Sequence, residues 1–346
     1  MRYHIITFGC QMNESDSQRI AAILDKTGYS PASKENEADF IVVNMCSVRQ
    51  SAVDRVYGLI EKFKKLKIKK PKLQTILTGC ILPKDKQKFR EGFNQIIRFP
   101  DLLKYRANPS ISPSTLSSGP KGSGQIFVPI SNGCNNLCSY CAVPLTRGAL
   151  KCRNHKEILK EVKDAVKKKP KEIWLLGQNV NNYCSPEDPT INFAKLMKMS
   201  CKIPGKFKIL FMSPHPKNFS DELINILADC PKFGKYLNLP VQSGDNEILK
   251  KMGRNYTAKE YKDLVKKIRE RIPEINLSTD AIVGFPGETK KQFENTVKLF
   301  REIKFNNAYI SKYSPRPGTA AFKLKNNVPL TEKKRRWKII KNLLLS

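Results

Sequence analysis

The sequence predicts an α/β protein in which a small parallel domain is followed by a longer series of strands and helices. Two observations carry this prediction. Strand-like apolar runs alternate with helix-like patterns along nearly the whole chain of 346 residues, which is typical of parallel sheets covered by helices. One stretch rich in Pro, Ser and Gly, Asn108 to Gln125, interrupts this alternation. We therefore expect an N-terminal domain at residues 1–108, a linker at 109–124 and a second domain at 125–346.

The first hundred residues predict a small parallel sheet flanked by helices. The predicted strands are Tyr3 to Phe8, Phe40 to Met45 and Leu73 to Leu77, and the predicted helices are Ser15 to Thr27, Ser47 to Lys65 and Lys84 to Glu91. Because a helix follows each strand, the strands are expected to run parallel and to end at the same edge of the sheet.

A second α/β series follows the linker and contains six strand–helix units. Its predicted strands are Ile126 to Ile130, Glu172 to Leu176, Lys208 to Phe211, Lys235 to Leu239, Asn276 to Ile282 and Asn307 to Ser311. The predicted helices between them include Lys156 to Lys168, Asp221 to Ala228 and Lys259 to Arg271.

Positive charge dominates the chain, since 63 Lys and Arg stand against 31 Asp and Glu, for a formal net charge of +32. Such a chain attracts polyanions, and nucleic acid is the leading candidate partner. The alternative is a general lysine bias that places lysine on every solvated face. Two basic clusters are an N-terminal one of Lys62, Lys64, Lys65, Lys67, Lys69, Lys70 and Lys72, and a C-terminal one of Lys333, Lys334, Arg335, Arg336, Lys338 and Lys341.

The sequence predicts a cytoplasmic protein without a membrane span. No apolar run approaches the roughly 18 residues that a spanning helix needs, and the chain begins with the strand-like segment MRYHIITFG rather than a signal segment. Six of the ten cysteines stand at positions suited to metal, which favours a reducing compartment. The other four are expected to be buried thiols, namely Cys152, Cys184, Cys201 and Cys230.

Three cysteines within eight residues form the most informative motif of the chain. Cys134, Cys138 and Cys141, here called the Cys134 triad, have the spacing Cys-x3-Cys-x2-Cys. Thiolates on one short loop can hold three corners of an iron–sulfur cubane and leave the fourth iron open, which indicates a metal that binds another molecule. The alternative is a structural zinc site closed by Cys152 or His155, although zinc sites usually combine two separate cysteine pairs.

A second set of cysteines comes from three distant segments. Cys10, Cys46 and Cys80, here called the Cys10 triad, each follow a predicted parallel strand. The carboxyl ends of parallel strands meet in one crevice where ligands bind, so these thiols are predicted to hold a second metal centre. The alternative is three small buried residues at strand ends.

The Cys134 triad has the spacing of the radical S-adenosylmethionine (SAM) enzymes. The whole chain resembles the methylthiotransferase branch of that superfamily, most closely its MiaB-type tRNA-modifying members. The matching stretches span nearly the whole chain and are TFGCQMNESDS (7–17), VVNMCSVR (42–49), TGC (78–80), CNNLCSYCAVPLTRG (134–148), GQNVNNY (177–183), SPHPKNFSDELI (213–224), LPVQSGDNEILKKMGRNYT (239–257), STDAIVGFPGET (278–289) and YSPRPGTAA (313–321).

This resemblance implies a radical SAM partial (β/α)6 TIM-like barrel behind the small N-terminal domain. It also implies two [4Fe-4S] clusters with an open iron each, a catalytic one on the Cys134 triad and an auxiliary one on the Cys10 triad. SAM would bind the first cluster and yield a 5′-deoxyadenosyl radical on one-electron cleavage. The auxiliary cluster would deliver a sulfur that a second SAM molecule has methylated.

Six polar residues in the later stretches are candidates for contacts to SAM or substrate, namely Gln178, Asn179, Ser213, Gln242, Asp280 and Arg316. For each of them, a local turn or a helix cap is the alternative role. His215, which stands between two prolines, is open to a structural or a catalytic role.

The GCQMN and NMCSVR forms of the first motifs resemble the branch that acts on N6-isopentenyladenosine beside the tRNA anticodon. The expected function is methylthiolation of carbon 2 of that adenosine, and the high positive charge independently favours RNA over protein. The alternatives are the same chemistry on threonylcarbamoyladenosine or on a ribosomal protein, and a non-catalytic protein that holds clusters or RNA.

The resemblance also implies partners. These are tRNA through its anticodon loop, a reductant such as flavodoxin or ferredoxin, and proteins that donate sulfur and clusters, with no membrane partner. Members of the family usually continue into a small RNA-binding TRAM domain, which this chain is expected to lack.

Overall fold

The computed structural model describes residues 1–48, 50–98, 101 and 124–345. Within them, the N-terminal strands and the strands after residue 124 each surround their own buried apolar core. The predicted domain boundary at residue 108 and residues 109–123 of the predicted linker lie outside the described residues.

A five-stranded parallel sheet forms the N-terminal part, in the order β2-β1-β3-β4-β5. Its strands are β1 (Arg2–Phe8), β2 (Ser30–Pro31), β3 (Phe40–Cys46), β4 (Gln74–Cys80) and β5 (Gln95–Ile96). The order reverses beside β1, with β2 on one side and β3 on the other. Such a reversal opens a crevice at the carboxyl ends of the two central strands.

The helices of the N-terminal part are Gln11–Lys26, Gln50–Lys69 and the single turn Lys86–Phe89. The first begins at Gln11 rather than at the predicted Ser15, because the Asn13 side chain accepts a hydrogen bond from the Cys10 backbone N–H at 3.3 Å and so starts the helix at Cys10. The second extends beyond the predicted Lys65. The predicted helix Lys84 to Glu91 shrinks to one turn after the 3₁₀ turn Pro83–Asp85.

Six parallel strands form the second part, and a short antiparallel ribbon stands after the first of them. The strands are β6 (Gln125–Pro129), the ribbon β7 (Ser131–Asn132) and β8 (Lys151–Cys152), then β9 (Glu172–Leu176), β10 (Lys208–Phe211), β11 (Tyr236–Asn238), β12 (Asn276–Val283) and β13 (Asn307–Lys312).

The six parallel strands follow one another in space as they do in the chain. Strands β6, β9 and β10 form one sheet and β11, β12 and β13 another. Ile209 of β10 pairs in parallel with Phe233 just before β11, so that the two sheets continue into one curved wall. This confirms the predicted fold class, a small parallel α/β domain followed by a partial (β/α)6 barrel.

The helices of the second part lie between these strands and cover the wall. They are Val143–Arg147, His155–Val166, Phe193–Cys201, Asp221–Asp229, Asn246–Lys251, Ala258–Arg271, Lys290–Ile303 and Leu330–Asn342. Polar caps explain several of the starts. The Thr257 and Thr289 hydroxyls each accept a backbone N–H three residues later and complete capping boxes.

The two parts touch through an apolar patch and two buried ion pairs. Met12 on the first helix packs with Phe127 and Leu176 of the barrel. On the same helix, Arg19 pairs with Glu161 at 3.0 Å and Asp16 pairs with Arg147 at 2.8 Å. The first helix is therefore the element that docks the N-terminal sheet onto the barrel.

Two expectations about cysteines are wrong. Cys201 and Cys230 form a disulfide bond with a Cα–Cα distance of 6.0 Å, because the helices that they follow are neighbours on the outside of the barrel. Cys184 is exposed, and Cys152 is only partly buried. Spacing along the sequence did not reveal this pairing, since the two disulfide partners lie 29 residues apart.

The C-terminal basic cluster is not one exposed face. Lys333 and Arg336 are buried; the Lys333 ammonium donates to the Asn326 side chain at 2.7 Å, and Arg336 donates to Glu288 at 2.7 Å. These two side chains fasten the last helix to the barrel, so they are not available to a nucleic acid. Among the described residues, no helix has the length and apolar composition that a membrane span requires.

Candidate active site

The Cys134 triad lies on a loop held between the strands of the β7–β8 ribbon, beyond the end of β6. The loop closes on itself, since the Cys134 N–H donates to the Gly148 carbonyl at 3.2 Å and the Cys141 N–H to the Cys138 carbonyl at 3.0 Å. Gly133 begins the loop with φ of 82°, where an added Cβ would lie 2.1 Å from the Ala149 carbonyl oxygen. Only glycine fits there.

Hydrogen-bond donors and one cation surround the sulfurs of the Cys134 triad. The backbone N–H of Asn136 points to the Cys134 sulfur at 3.4 Å and that of Val143 to the Cys141 sulfur at 3.5 Å. The Arg254 guanidinium, itself buried, lies 3.5 Å from the Cys138 sulfur. Burial raises the pKa of Cys141 to about 12. This thiol does not ionise readily by itself, although the surrounding N–H groups would stabilise a thiolate. Bound metal ions would supply the positive charge that makes the thiolate stable.

The Cys10 triad lies at the carboxyl ends of three adjacent strands, as predicted. Cys46 and Cys80 are the last residues of β3 and β4 and are register partners, whereas Cys10 stands at the start of the helix that follows β1. A hydrogen bond between Cys46 and Cys80 raises the pKa of Cys46. The same bond lowers the pKa of Cys80 to about 6; the neighbouring Arg147 lowers it further, whereas burial acts in the opposite direction. The crevice beside β1 therefore gathers three thiols from distant segments.

The two cysteine triads can be compared with the ligands that a zinc ion needs and with those that an iron–sulfur cluster needs. No three Cys, His, Asp or Glu side chains of the described residues converge as ligands of a single metal ion; around zinc the sulfurs would lie ~3.8 Å apart. His155 is not available as a fourth zinc ligand, because its ring is buried and bonds Ser185 at 2.8 Å. Three thiols in each site are the ligand set that suits an iron–sulfur cluster with one open iron.

Two of the candidate SAM-contact residues stand at the mouth of the barrel beside the Cys134 loop. The Gln178 side chain accepts the Gly133 N–H at 2.5 Å, so it supports the loop. Asn179 is 2% exposed, yet both polar atoms of its side chain lack a protein partner, as does the nearby Ser131 hydroxyl. Buried groups of this kind carry a large desolvation cost unless something bonds them, which fits a polar cofactor in this place.

Three further candidates line the same end of the barrel. Ser213 and Gln242 have positive φ of 60° and 69°, strained conformations that often mark ligand sites. The Asp280 carboxylate accepts the Asn238 side-chain amide at 2.7 Å. His215 caps a short turn by accepting the Lys217 N–H at 3.2 Å; burial and the neighbouring Arg254 lower its pKa to about 3. A lowered pKa and the cap on the turn favour the structural role of His215 over the catalytic one.

Arg316 lies nearer to the other triad. Its guanidinium donates to the Gln50 side chain at 2.6 Å. Burial lowers its pKa, while Asp85 and the Cys46 sulfur act in the opposite direction. The sequence grouped Arg316 with the barrel candidates. The fold places it beside Cys46, at the interface between the N-terminal part and the barrel, here called the seam.

Two arginines that contact cysteine sulfurs, Arg147 and Arg254, are not among the site residues that the sequence predicts. Arg147 donates to the Cys80 sulfur at 2.9 Å and pairs with Asp16 at 2.8 Å. A signal was present, because both arginines stand inside matching stretches, LTRG and KMGRNYT. Their sulfur partners lie far away in sequence, so only the fold reveals them.

Comparison with known proteins identifies the class to which this fold and site belong. Residues 128–300 match the Radical SAM superfamily, and residues 2–98 match the uncharacterized protein family UPF0004. The radical S-adenosylmethionine methyltransferase TsrM from Kitasatospora setae has a similar fold, with a TM-score of 0.63 and 14% identity over 93% of this chain and 75% of that one. The class is therefore that of the radical SAM proteins.

Curated relatives narrow the class to one family. The tRNA-2-methylthio-N(6)-dimethylallyladenosine synthase of Clostridium novyi is 42% identical over 95% of this chain and 77% of its own length. The synthase of the same name from Clostridium botulinum is 40% identical over 97% of this chain and 79% of its own length. The chain belongs to the family of these radical SAM synthases.

Proposed function

We propose that the protein is a radical SAM enzyme that methylthiolates carbon 2 of N6-isopentenyladenosine next to the anticodon of tRNA, with one SAM molecule for radical generation and one for the methyl group. The observation that carries the proposal is the pairing of two cysteine triads across one seam, in a chain 42% identical to a synthase of that modification. The proposed domains are residues 1–108 and 125–346, joined by a linker at 109–124.

The Cys134 triad is the proposed holder of the [4Fe-4S] cluster that binds SAM. When bound, this cluster and SAM supply a carbon-centred radical. The chain positions the reactants: Gln178 and Gly133 fix the loop at 2.5 Å, and the buried amide of Asn179 faces the mouth without a protein partner.

The Cys10 triad is the proposed holder of the second cluster, which would supply the sulfur. Support comes from geometry: the three thiols stand at the switch point of a parallel sheet, and the Arg147 side chain connects them to the loop of the other triad at 2.9 Å. A sulfur source beside the radical source is what transfer to an unreactive carbon requires.

Positive charge on the N-terminal part supports a nucleic-acid substrate. A cavity of about 540 Å³ at the amino end of the sheet is lined by Lys34, Lys62, Lys65 and Lys69 together with His4. Lys62 pairs with Glu35, and the other lysines leave a net positive cavity suited to phosphate. We propose tRNA as the partner there and a flavodoxin or ferredoxin as the electron donor, with the cytoplasm as the compartment.

The deciding experiment is anaerobic turnover of the reconstituted protein with dithionite, SAM and tRNA that carries isopentenyladenosine. Mass spectrometry of the nucleosides should show the 2-methylthio product. Threonylcarbamoyladenosine tRNA and ribosomal protein are run in parallel, so that methylthiolation of either in place of isopentenyladenosine refutes the substrate. Cluster binding without any product would make the chain a non-catalytic binding protein.

A further inference from the structure

Arg147 connects the two cysteine triads although it belongs to neither. It ends the helix Val143–Arg147, and its guanidinium donates in three directions. Nε donates to the Cys80 sulfur at 2.9 Å, Nη1 to the Asn132 side chain at 2.9 Å and Nη2 to the Asp16 carboxylate at 2.8 Å. The loop that carries the Cys134 triad is thereby fastened to the carboxyl edge of the N-terminal sheet.

This arrangement is enclosed by protein. The side chains of Arg147 and Asp16 are 8% and 3% exposed. Burial alone would lower the pKa of Arg147, but Asp16 and the Cys80 sulfur outweigh it, so the pKa is raised and the guanidinium stays charged. A full positive charge thus lies against one sulfur of the Cys10 triad, where little water screens it.

A second buried arginine, Arg19, also joins the two parts, but its partner is a carboxylate alone and not a sulfur. Arg19 pairs with Glu161 at 3.0 Å, with side chains 7% and 0% exposed, and Arg153 completes that group at 2.7 Å from the same carboxylate. Arg19 and Arg147 therefore share burial, an ion pair and a place at the seam. They differ in the hydrogen bond that Arg147 gives to Cys80.

We propose that Arg147 is a positioning residue that holds the Cys80 sulfur from the loop of the Cys134 triad and sets the reduction potential of the cluster on the Cys10 triad. This rests on the proposed function, because it takes Cys80 as a ligand. An N–H donor to sulfur and a nearby positive charge stabilise the reduced, more negative cluster and so raise its potential. The Asp16 carboxylate acts with the opposite sign.

The test uses the full chain with Cys134, Cys138 and Cys141 changed to alanine, so that only one cluster contributes. After anaerobic reconstitution with iron and sulfide, a redox titration followed by electron paramagnetic resonance gives its midpoint potential. Arg147→Gln should shift the potential to a more negative value, and Asp16→Asn to a more positive one. Arg147→Lys, which keeps the charge without the fork of donors, should fall between Arg147→Gln and the parent chain.

The two potential shifts have opposite directions, which distinguishes this role from a structural one. If the two parts merely came apart, the potential of both variants would shift in the same direction. Arg19→Gln is the matched control: it breaks a buried ion pair at the same seam, and although its charge acts on Asp16, Arg19 gives no hydrogen bond to Cys80, so this variant should shift the potential less than Arg147→Gln does. Equal potentials in Arg147→Gln, Asp16→Asn and the parent, or shifts of the same sign, would overturn the proposal. So would a parent chain that binds no iron, since Cys80 would then not be a ligand.

The proposed function can fail independently. If the wild-type chain makes no methylthiolated tRNA but the two variants shift in opposite directions, the role of Arg147 stands and the proposed function does not. If turnover succeeds and the potentials do not move, Arg147 only joins the two parts.

Discussion

The two cysteine triads reach their geometry by opposite routes. The Cys134 triad lies on one short loop whose shape is set locally, by backbone hydrogen bonds such as Cys134 N–H to Gly148 at 3.2 Å. The Cys10 triad is assembled from three strand ends and exists only when β1, β3 and β4 pair in register. A local site can form with its loop, whereas an assembled site depends on the folding of the whole sheet.

The triads share one feature, which is a buried arginine against one sulfur. Arg254 lies 3.5 Å from the Cys138 sulfur and Arg147 lies 2.9 Å from the Cys80 sulfur. Arg254 belongs to the same part as its triad, but Arg147 reaches across the seam. The comparison shows that the arginine beside the Cys134 triad comes from the same part of the chain, whereas the arginine beside the Cys10 triad comes from the other part.

The largest expected effect separates the chemistry of the triads. Changing Cys10, Cys46 and Cys80 to alanine should preserve reductive cleavage of SAM to 5′-deoxyadenosine but abolish the methylthiolated product, because the other triad is the proposed site of SAM binding. Changing the Cys134 triad to alanine should abolish both. Anaerobic turnover with mass spectrometry of both products gives the answer, and Cys184→Ala, an exposed thiol outside both triads, should retain both.

If the variant without the Cys10 triad still methylthiolated tRNA, the sulfur-donor role would be wrong. Cys10, Cys46 and Cys80 would then be small buried residues at strand ends.

Glycine substitutions test how much each site depends on its backbone. Gly133→Ala places a Cβ 2.1 Å from the Ala149 oxygen, and Gly79→Ala places one 2.3 Å from the Met45 oxygen, both at positive φ. Each should cost about 2–4 kcal/mol, from left-handed strain together with the clash. Urea denaturation of the apoprotein measures this loss of unfolding free energy as a lower midpoint concentration. The matched control is Gly148→Ala, where φ is 79°, ψ is −164° and no atom lies within 4 Å of the added Cβ; it carries backbone strain without a clash and should cost about 1–3 kcal/mol.

The comparison of regions predicts different outcomes for the two glycines. Gly133→Ala should impair only the cluster on the Cys134 triad, since its clash lies in a local loop. Gly79→Ala should weaken the N-terminal sheet as a whole. Loss of both clusters in Gly133→Ala would show that the loop also supports the sheet.

The N-terminal and C-terminal basic clusters are expected to differ in tRNA binding. Changing Lys34, Lys65 and Lys69 of the cavity to glutamine should flatten the dependence of log affinity on log salt by about 0.7–0.9 for each lost phosphate contact. Lys334→Gln with Lys338→Gln, two exposed residues of the C-terminal cluster, gives the comparison. Filter binding over a salt series measures both. An unchanged slope in the cavity variant would make these lysines a solvated face.

The smallest expected effect is on metal content, which should fall by a factor of two when either triad is removed. The reconstituted chain should bind about eight irons and eight sulfides, as two cubanes require, and each triad variant should retain about half. Iron and acid-labile sulfide assays check this. Zinc as the main metal, or iron content that ignores the substitutions, would contradict both sites.

The sequence by itself determined the longer parallel strands and the Cys134 loop, because apolar periodicity and ligand spacing are local properties. It also placed Cys10, Cys46 and Cys80 at equivalent strand ends. It did not predict the two-residue strands β2, β5, β7 and β8, which are too short to show a periodicity. Helix limits were less certain: a side chain such as Asn13 decides where a helix starts by bonding the backbone of Cys10 at 3.3 Å.

Only the tertiary structure decided which distant groups meet. Arg147 and Cys80 are 67 residues apart, Cys201 and Cys230 join neighbouring helices, and Lys333 of the last helix is buried rather than exposed. Charge and residue type say which partners a side chain accepts, but burial and distance determine which partner it has. Those quantities arise only when strands and helices pack together and, for Arg147 and Cys80, only when the N-terminal sheet docks on the barrel.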